Sequence, residues 1–173
     1  MKAEKAYNSM LKILSVWEES LDNYSDEDFA KKPDADSWSM GQAYAHIIDG
    51  TLKFHLKQAE ACLLTNENSD KKMTGPARLV FLCNSFPPIK IKVPPSKEYA
   101  PEQPQDRQAV KKNIEILKKR LRELAVEISK SGNKGKAQHP AFGYLIAMEW
   151  YTLIGLHIKH HLKQKKRIEK IFS

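Results

Sequence analysis

The sequence is poor in several features, and each shortage excludes a class of protein. Two cysteines, Cys62 and Cys83, in 173 residues cannot build the disulfide framework of a small secreted domain, so both are expected to be reduced and largely buried. Seven glycines and nine prolines are too few for a collagenous or low-complexity chain. No apolar run approaches the roughly 20 residues that span a bilayer. The opening residues, Met1 to Tyr7, pass straight into charged helical sequence without the apolar centre of a signal peptide. A cytoplasmic protein without membrane contact is expected. What remains is the balance of a globular chain: 41% hydrophobic and 29% charged residues, matching one domain over residues 1–173.

Charge of one sign is also scarce in each half. Residues 1–70 hold 7 Lys/Arg against 13 Asp/Glu, a balance of −6, and residues 71–173 hold 22 against 8, a balance of +14. A basic half can meet nucleic acid. Here no nucleic-acid module accompanies it, and aromatic residues are not interleaved with the basic ones. Lysine-rich solvent faces of helices explain the excess more simply.

Four long segments carry helical periodicity, and no strand-like alternation competes with them. The first spans about Lys2 to Tyr24, with Tyr7, Met10, Leu14, Trp17 and Leu21 at spacings of three and four. Ser25 then opens a short helix that Pro33 stops. The second long helix runs from about Met40, capped by Ser39, to Thr65. A connection from Asn66 to Pro104 follows, holding a short helix over Ala77–Phe86 and an isolated extended stretch, Ile89–Val93, between proline pairs. The third helix covers Asp106 to Lys130, ended by a left-handed turn within Ser131–Gly135. The fourth follows His139-Pro140 and reaches about Phe172. The fold class is all-α: a four-helix bundle with a long crossover between helices 2 and 3.

The chemistry concentrates in the fourth helix. Alternating steps of three and four trace a seam through Gly143, Ala147, Trp150, Ile154, His157, His161, Gln164, Ile168 and Ile171. Two imidazoles and an amide stand where the pattern calls for apolar side chains. His157 and His161 are four residues apart, so both rings leave one face a turn apart, a spacing that suits one metal ion. His160 falls off the seam. A third ligand must come from another helix, and the second helix offers two candidates. His55 lies within the apolar stripe of Met40, Tyr44 and Ile48, whereas His46 sits well away from its centre. Ala43 and Gly50 leave room beside His46. Spacing does not choose between the two.

Two stretches resemble a known family. Trp38-Ser39-Met40-Gly41-Gln42 leading to His46 is similar to the Trp-Ser-x-x-Gln approach to the first ligand of the DinB-like (YfiT-like) four-helix metal-binding proteins. His139-Pro140 through Glu149-Trp150 to His157, His161 and Gln164 is similar to that family's closing helix. The resemblance implies a ligand triad of His46, His157 and His161, and a divalent metal ion, commonly zinc or nickel, completed by water. The chain departs from the family at Lys165, where an isoleucine is frequent.

Three neutral imidazoles leave a divalent cation its full charge and open positions. The resemblance implies a metal-dependent hydrolase, or a transferase using a low-molecular-weight thiol, acting on a small-molecule substrate. It also suggests a homodimer. The alternatives are a non-catalytic, metal-stabilised binding module and, further off, a basic nucleic-acid-binding bundle. No general base is fixed: Glu149 and Asp49 are the nearest acids but fall on polar flanks, and Tyr44, Tyr151, Trp38 and Trp150 read as packing residues. Metal retention is expected to fall as pH drops through roughly 6, where an ordinary imidazole protonates.

Overall fold

Apolar residues at helical spacing must bury one stripe, and four such stripes close on one another. The computed structural model describes residues 2–87, 101–104 and 106–171. The first long helix is α1 (Lys2–Ser20), extended by a 3₁₀ turn over Leu21–Asn23. Ser25 caps the short α2 (Asp26–Ala30), its hydroxyl accepting from the Asp28 amide. The second long helix has three parts: α3 (Met40–Asp49), a π-helical stretch (Gly50–His55) and α4 (Leu56–Leu63). In the crossover lies α5 (Gly75–Cys83), and α6 (Arg107–Lys130) follows. A hairpin of β1 (Lys136–His139) and β2 (Gly143–Ile146) then leads into α7 (Ala147–Glu169).

α1 packs against α6 and α7, and the α3–α4 helix packs against both as well. Trp17, Tyr44, Leu117, Tyr151 and Ile154 are fully buried where these helices meet. The two buried tyrosines spend their hydroxyls on helix backbone: Tyr44 donates to the Trp17 carbonyl at 2.5 Å, and Tyr151 to the Leu121 carbonyl at 2.8 Å. Both are core residues, as their positions predict.

The structure departs from expectation in five places. The fourth helix does not begin at Pro140, because residues 136–139 pair antiparallel with 143–146, Lys136 opposite Ile146 and His139 opposite Gly143. Strands of four residues are too short to display alternation, and the step from Gly143 to Ala147 mimics a helical turn. Gly143 has φ +72°, and a Cβ there would meet the Lys72 carbonyl oxygen at 2.9 Å, so only glycine suits this turn. At the other end of the seam Ile171 lies beyond the helix and is 44% exposed. The turn after α6 is not left-handed either: Ser131 leaves the helix with φ −75° and ψ 136°, and Asn133 Nδ2 donates to the Leu63 carbonyl, fastening the chain to α4.

α5 begins two residues before Ala77 and ends three before Phe86, because the Thr74 hydroxyl caps it and Asn84 ends it in a left-handed conformation. Cys62 is buried but Cys83, at the end of α5, is exposed. The expected extended stretch Ile89–Val93 lies outside the described residues. The returning end of the crossover is tied to the start of α3: the Ser39 hydroxyl donates to Gln103 Oε1 at 2.5 Å and Gln42 Nε2 donates to the Pro101 carbonyl at 2.8 Å.

Candidate metal centre

α3 starts at a reciprocal capping box. Ser39 Oγ accepts from the Gln42 amide at 3.0 Å, and Gln42 Oε1 accepts from the Ser39 amide at 3.1 Å. Two orphan helix donors are satisfied in this way. The cap fixes where α3 begins and therefore where His46 points, two turns on. It also holds Trp38 just outside the helix, its ring centroid 4.7 Å from that of His46 and 6.4 Å from that of His161. Trp38 forms a wall of the site, a role its sequence position did not reveal.

α7 supplies the other two rings from adjacent turns. His157 Nε2 lies 3.1 Å from His46 Nε2 and 3.1 Å from His161 Nε2. Across the described residues these three histidines are the group of potential ligand atoms lying within 4.8 Å of one another, and they could hold one metal ion. His161 Nδ1 is 2.7 Å from Gln164 Oε1. An amide oxygen accepts only, so Nδ1 carries the proton and Nε2 of neutral His161 is a bare lone pair. His157 Nε2 has two nitrogen neighbours and at most one proton to offer them. One lone pair is left facing another, an arrangement that a shared cation relieves. The 3.1 Å spacing is close to the roughly 3.3 Å edge between nitrogens on a tetrahedral ion with 2.0–2.1 Å bonds. The donor set fits a divalent ion.

Protonation is suppressed throughout the cluster. Burial, followed by the nearby His55, lowers the pKa of His46 to about 4. Burial and then His46 lower that of His161 to about 3, against a raising contribution from Gln164. For His157 burial and the surrounding imidazoles act together, pushing its pKa well below the usual value. All three are neutral at pH 7, the form that binds metal.

The π-helical stretch brings both histidines of the second helix towards α7. In a regular α-helix His46 and His55, nine residues apart, would face opposite sides. The π turn absorbs one extra residue, and both rings come against His157, with centroids 4.9 Å and 5.0 Å away. It is His46 whose Nε2 enters the cluster. His55 is 7% exposed, packs on Trp150, and has a buried Nδ1 without a hydrogen-bond partner. A π turn leaves no mark in hydrophobic periodicity beyond the conflict noted there. Gly50 is not needed for clearance, since a Cβ would stop 4.0 Å from His157 Cε1.

The remaining candidates lie apart. His139 is engaged by the hairpin, its Nδ1 accepting from the amides of Ala141 and Phe142 at 3.0 and 3.2 Å. His160 flanks His161 at a centroid distance of 5.4 Å and touches Phe86 on its other side. Burial, then Lys163 and Arg167, lower its pKa. Glu149 caps α7, accepting from the Ile146 amide at 2.8 Å, and Asp49 holds Lys53 at 2.8 Å. Neither acid belongs to the cluster.

A Bacillus subtilis (strain 168) protein described as "uncharacterized protein YuaE" is 28% identical over 159 residues, covering 91% of this chain and 92% of its own. No solved structure gives a significant match. The sequence model of the DinB superfamily matches residues 12–164, a span that takes in Trp38, the capping box, all three clustered histidines and Gln164, and the chain belongs to that superfamily.

Proposed function

We propose that His46, His157 and His161 hold one divalent cation, zinc or nickel, and that the protein is a metal-dependent enzyme acting on a small molecule, either as a hydrolase or as a transferase of a low-molecular-weight thiol. The observation carrying this reading is the approach of three Nε2 atoms, with two 3.1 Å separations centred on His157. A divalent ion with three neutral ligands would supply Lewis acidity and lower the pKa of a bound water or thiol. The protein's own contribution is positional. Gln164 fixes the His161 tautomer, the capping box sets His46, and Trp38 covers one side of the cluster. The acids on α3 and α7 serve structural ends, which leaves acid–base work to groups on the substrate or to solvent.

The test is elemental analysis of purified protein after equilibration with zinc or nickel and dialysis. The wild type should retain about one ion per chain. His46→Ala, His157→Ala and His161→Ala should each abolish retention, while His55→Ala and His160→Ala leave it nearly unchanged. If retention survives all three ligand substitutions, the triad is wrong. Cobalt-loaded protein separates the two activities: a sulfur-to-cobalt charge-transfer band on adding thiol supports the transferase reading, and its absence supports the hydrolase.

A further inference from the structure

Next to the triad a recess of about 40 Å³ is lined by Ser85, Phe86, Leu156, Lys159, His160 and Lys163. That volume fits one small group, of the order of a water or two. Its floor is apolar, from Phe86 and Leu156. Two of its lining residues, Lys159 and Lys163, are cationic, and Arg167 follows one further four-residue step along the same face of α7, outside the lining. His160 stands between this recess and His161, its ring 5.4 Å from that of the ligand candidate.

Two cations of the neighbouring segments are neutralised within the chain. Lys53 is taken by Asp49, and the buried Lys165 by Glu169 at 2.6 Å. Among the described residues no carboxylate lies within ion-pairing distance of Lys159, Lys163 or Arg167. The cluster itself contains no carboxylate, so an ion bound there would add two further uncompensated positive charges. Several unpaired cations around one small apolar-floored recess make a local field that selects an anion.

We propose that this recess is an oxyanion subsite, in which Lys159 and Lys163, with Arg167 adding charge from the next turn of α7, hold a carboxylate or phosphate group of the substrate or cosubstrate while the ligand's other end lies at the histidine triad. The link to the triad rests on the metal reading above; the subsite itself does not. The Phe86 ring, packed on His160 at 5.1 Å, gives the linking part of such a ligand an apolar contact. The substrate class is therefore a small amphipathic anion with a reactive group a few ångströms from its charge.

The experiment is calorimetric titration of the full chain with inorganic phosphate at low ionic strength, in both chelator-treated and zinc-loaded forms. The chelator-treated wild type should bind phosphate, and K163A/R167A should weaken binding roughly tenfold or more, the loss of charge-assisted contacts. K12A/K119A removes the same charge from exposed positions on α1 and α6 and should leave binding unchanged. Thermal melts establish that both variants fold, and elemental analysis follows zinc in parallel. No phosphate binding by the wild type, or equal weakening in both double variants, overturns the subsite. Phosphate binding that depends on Lys163 and Arg167 in a protein that retains no zinc upholds the subsite and sinks the metal reading instead.

Discussion

Gln164 is where a single side chain sets the chemistry of the cluster. Its Oε1, 2.7 Å from His161 Nδ1, decides which nitrogen of that ring is bare. Partners of this kind contribute one to two orders of magnitude in metal affinity. Gln164→Ala should therefore weaken zinc binding about 10- to 100-fold with little change in thermal stability, and Gln164→Glu, which still accepts from Nδ1, should restore most of it. Equal affinity in wild type and alanine variant would show that His161 needs no such partner. His157 and His161 were legible in the sequence because polar rings interrupt an apolar seam. Gln164 was visible on the same seam, but its task depends on a distance that periodicity does not contain. Lys165, the departure from the family pattern, is 5% exposed; it is accommodated because Glu169 accepts from its ammonium and from the Tyr24 hydroxyl, both at 2.6 Å.

At the scale of elements, the long helices could be read because each buries a stripe sustained over many turns. In α6, Val110, Ile114, Leu117, Leu121 and Leu124 are all buried, as their spacing demands. The hairpin could not be read, since β1 and β2 are four residues each and two apolar positions per face carry no period. The π stretch was also invisible, although it redirects everything after Asp49. The register of α7 can be tested directly. Ile154 is fully buried and Ile171 is 44% exposed. Ile154→Asp should cost several kcal/mol by burying an unpaired charge, whereas Ile171→Asp, at the far end of the same seam, should shift the denaturation midpoint hardly at all. A tolerated charge at Ile154 would mean that α7 is rotated.

Across the whole molecule the uneven charge has a structural use. The acidic first half faces the basic α6: Lys111 meets Asp22, Lys118 meets Glu18, Arg107 meets Asp26 and Arg120 meets Glu60, at 2.5–3.0 Å. Such exposed pairs contribute little stability each, about 0–1 kcal/mol, but they favour one arrangement of helices over others. Four of the basic residues on α6 are thus engaged by their own chain, which leaves less of that helix for nucleic acid. The expected homodimer remains a proposal. Leu79 and Leu82 on α5 are 60% and 83% exposed, and sedimentation at micromolar concentration showing only a 19.8 kDa species would reject it. Burying four imidazoles together makes stability depend on pH. An unfolded chain takes up protons on them near pH 6.5, whereas in the folded protein His46 and His55 hold out to about 4 and His161 to about 3, with His157 also well below the usual value. Between those limits the unfolded state binds more protons, so stability falls as pH falls. For His46 alone the displacement corresponds to about 3 kcal/mol at the acid end. Chelator-treated protein should show a melting temperature that is flat above pH 7 and declines steadily from about pH 6.5 towards 4, with a shallower decline in His55→Phe. Because the folded rings resist protons to about pH 4, ion release should also begin below the pH 6 expected of exposed imidazoles. A melting temperature unchanged between pH 7 and 5 would mean that the rings are hydrated and titrate as they do in an unfolded chain.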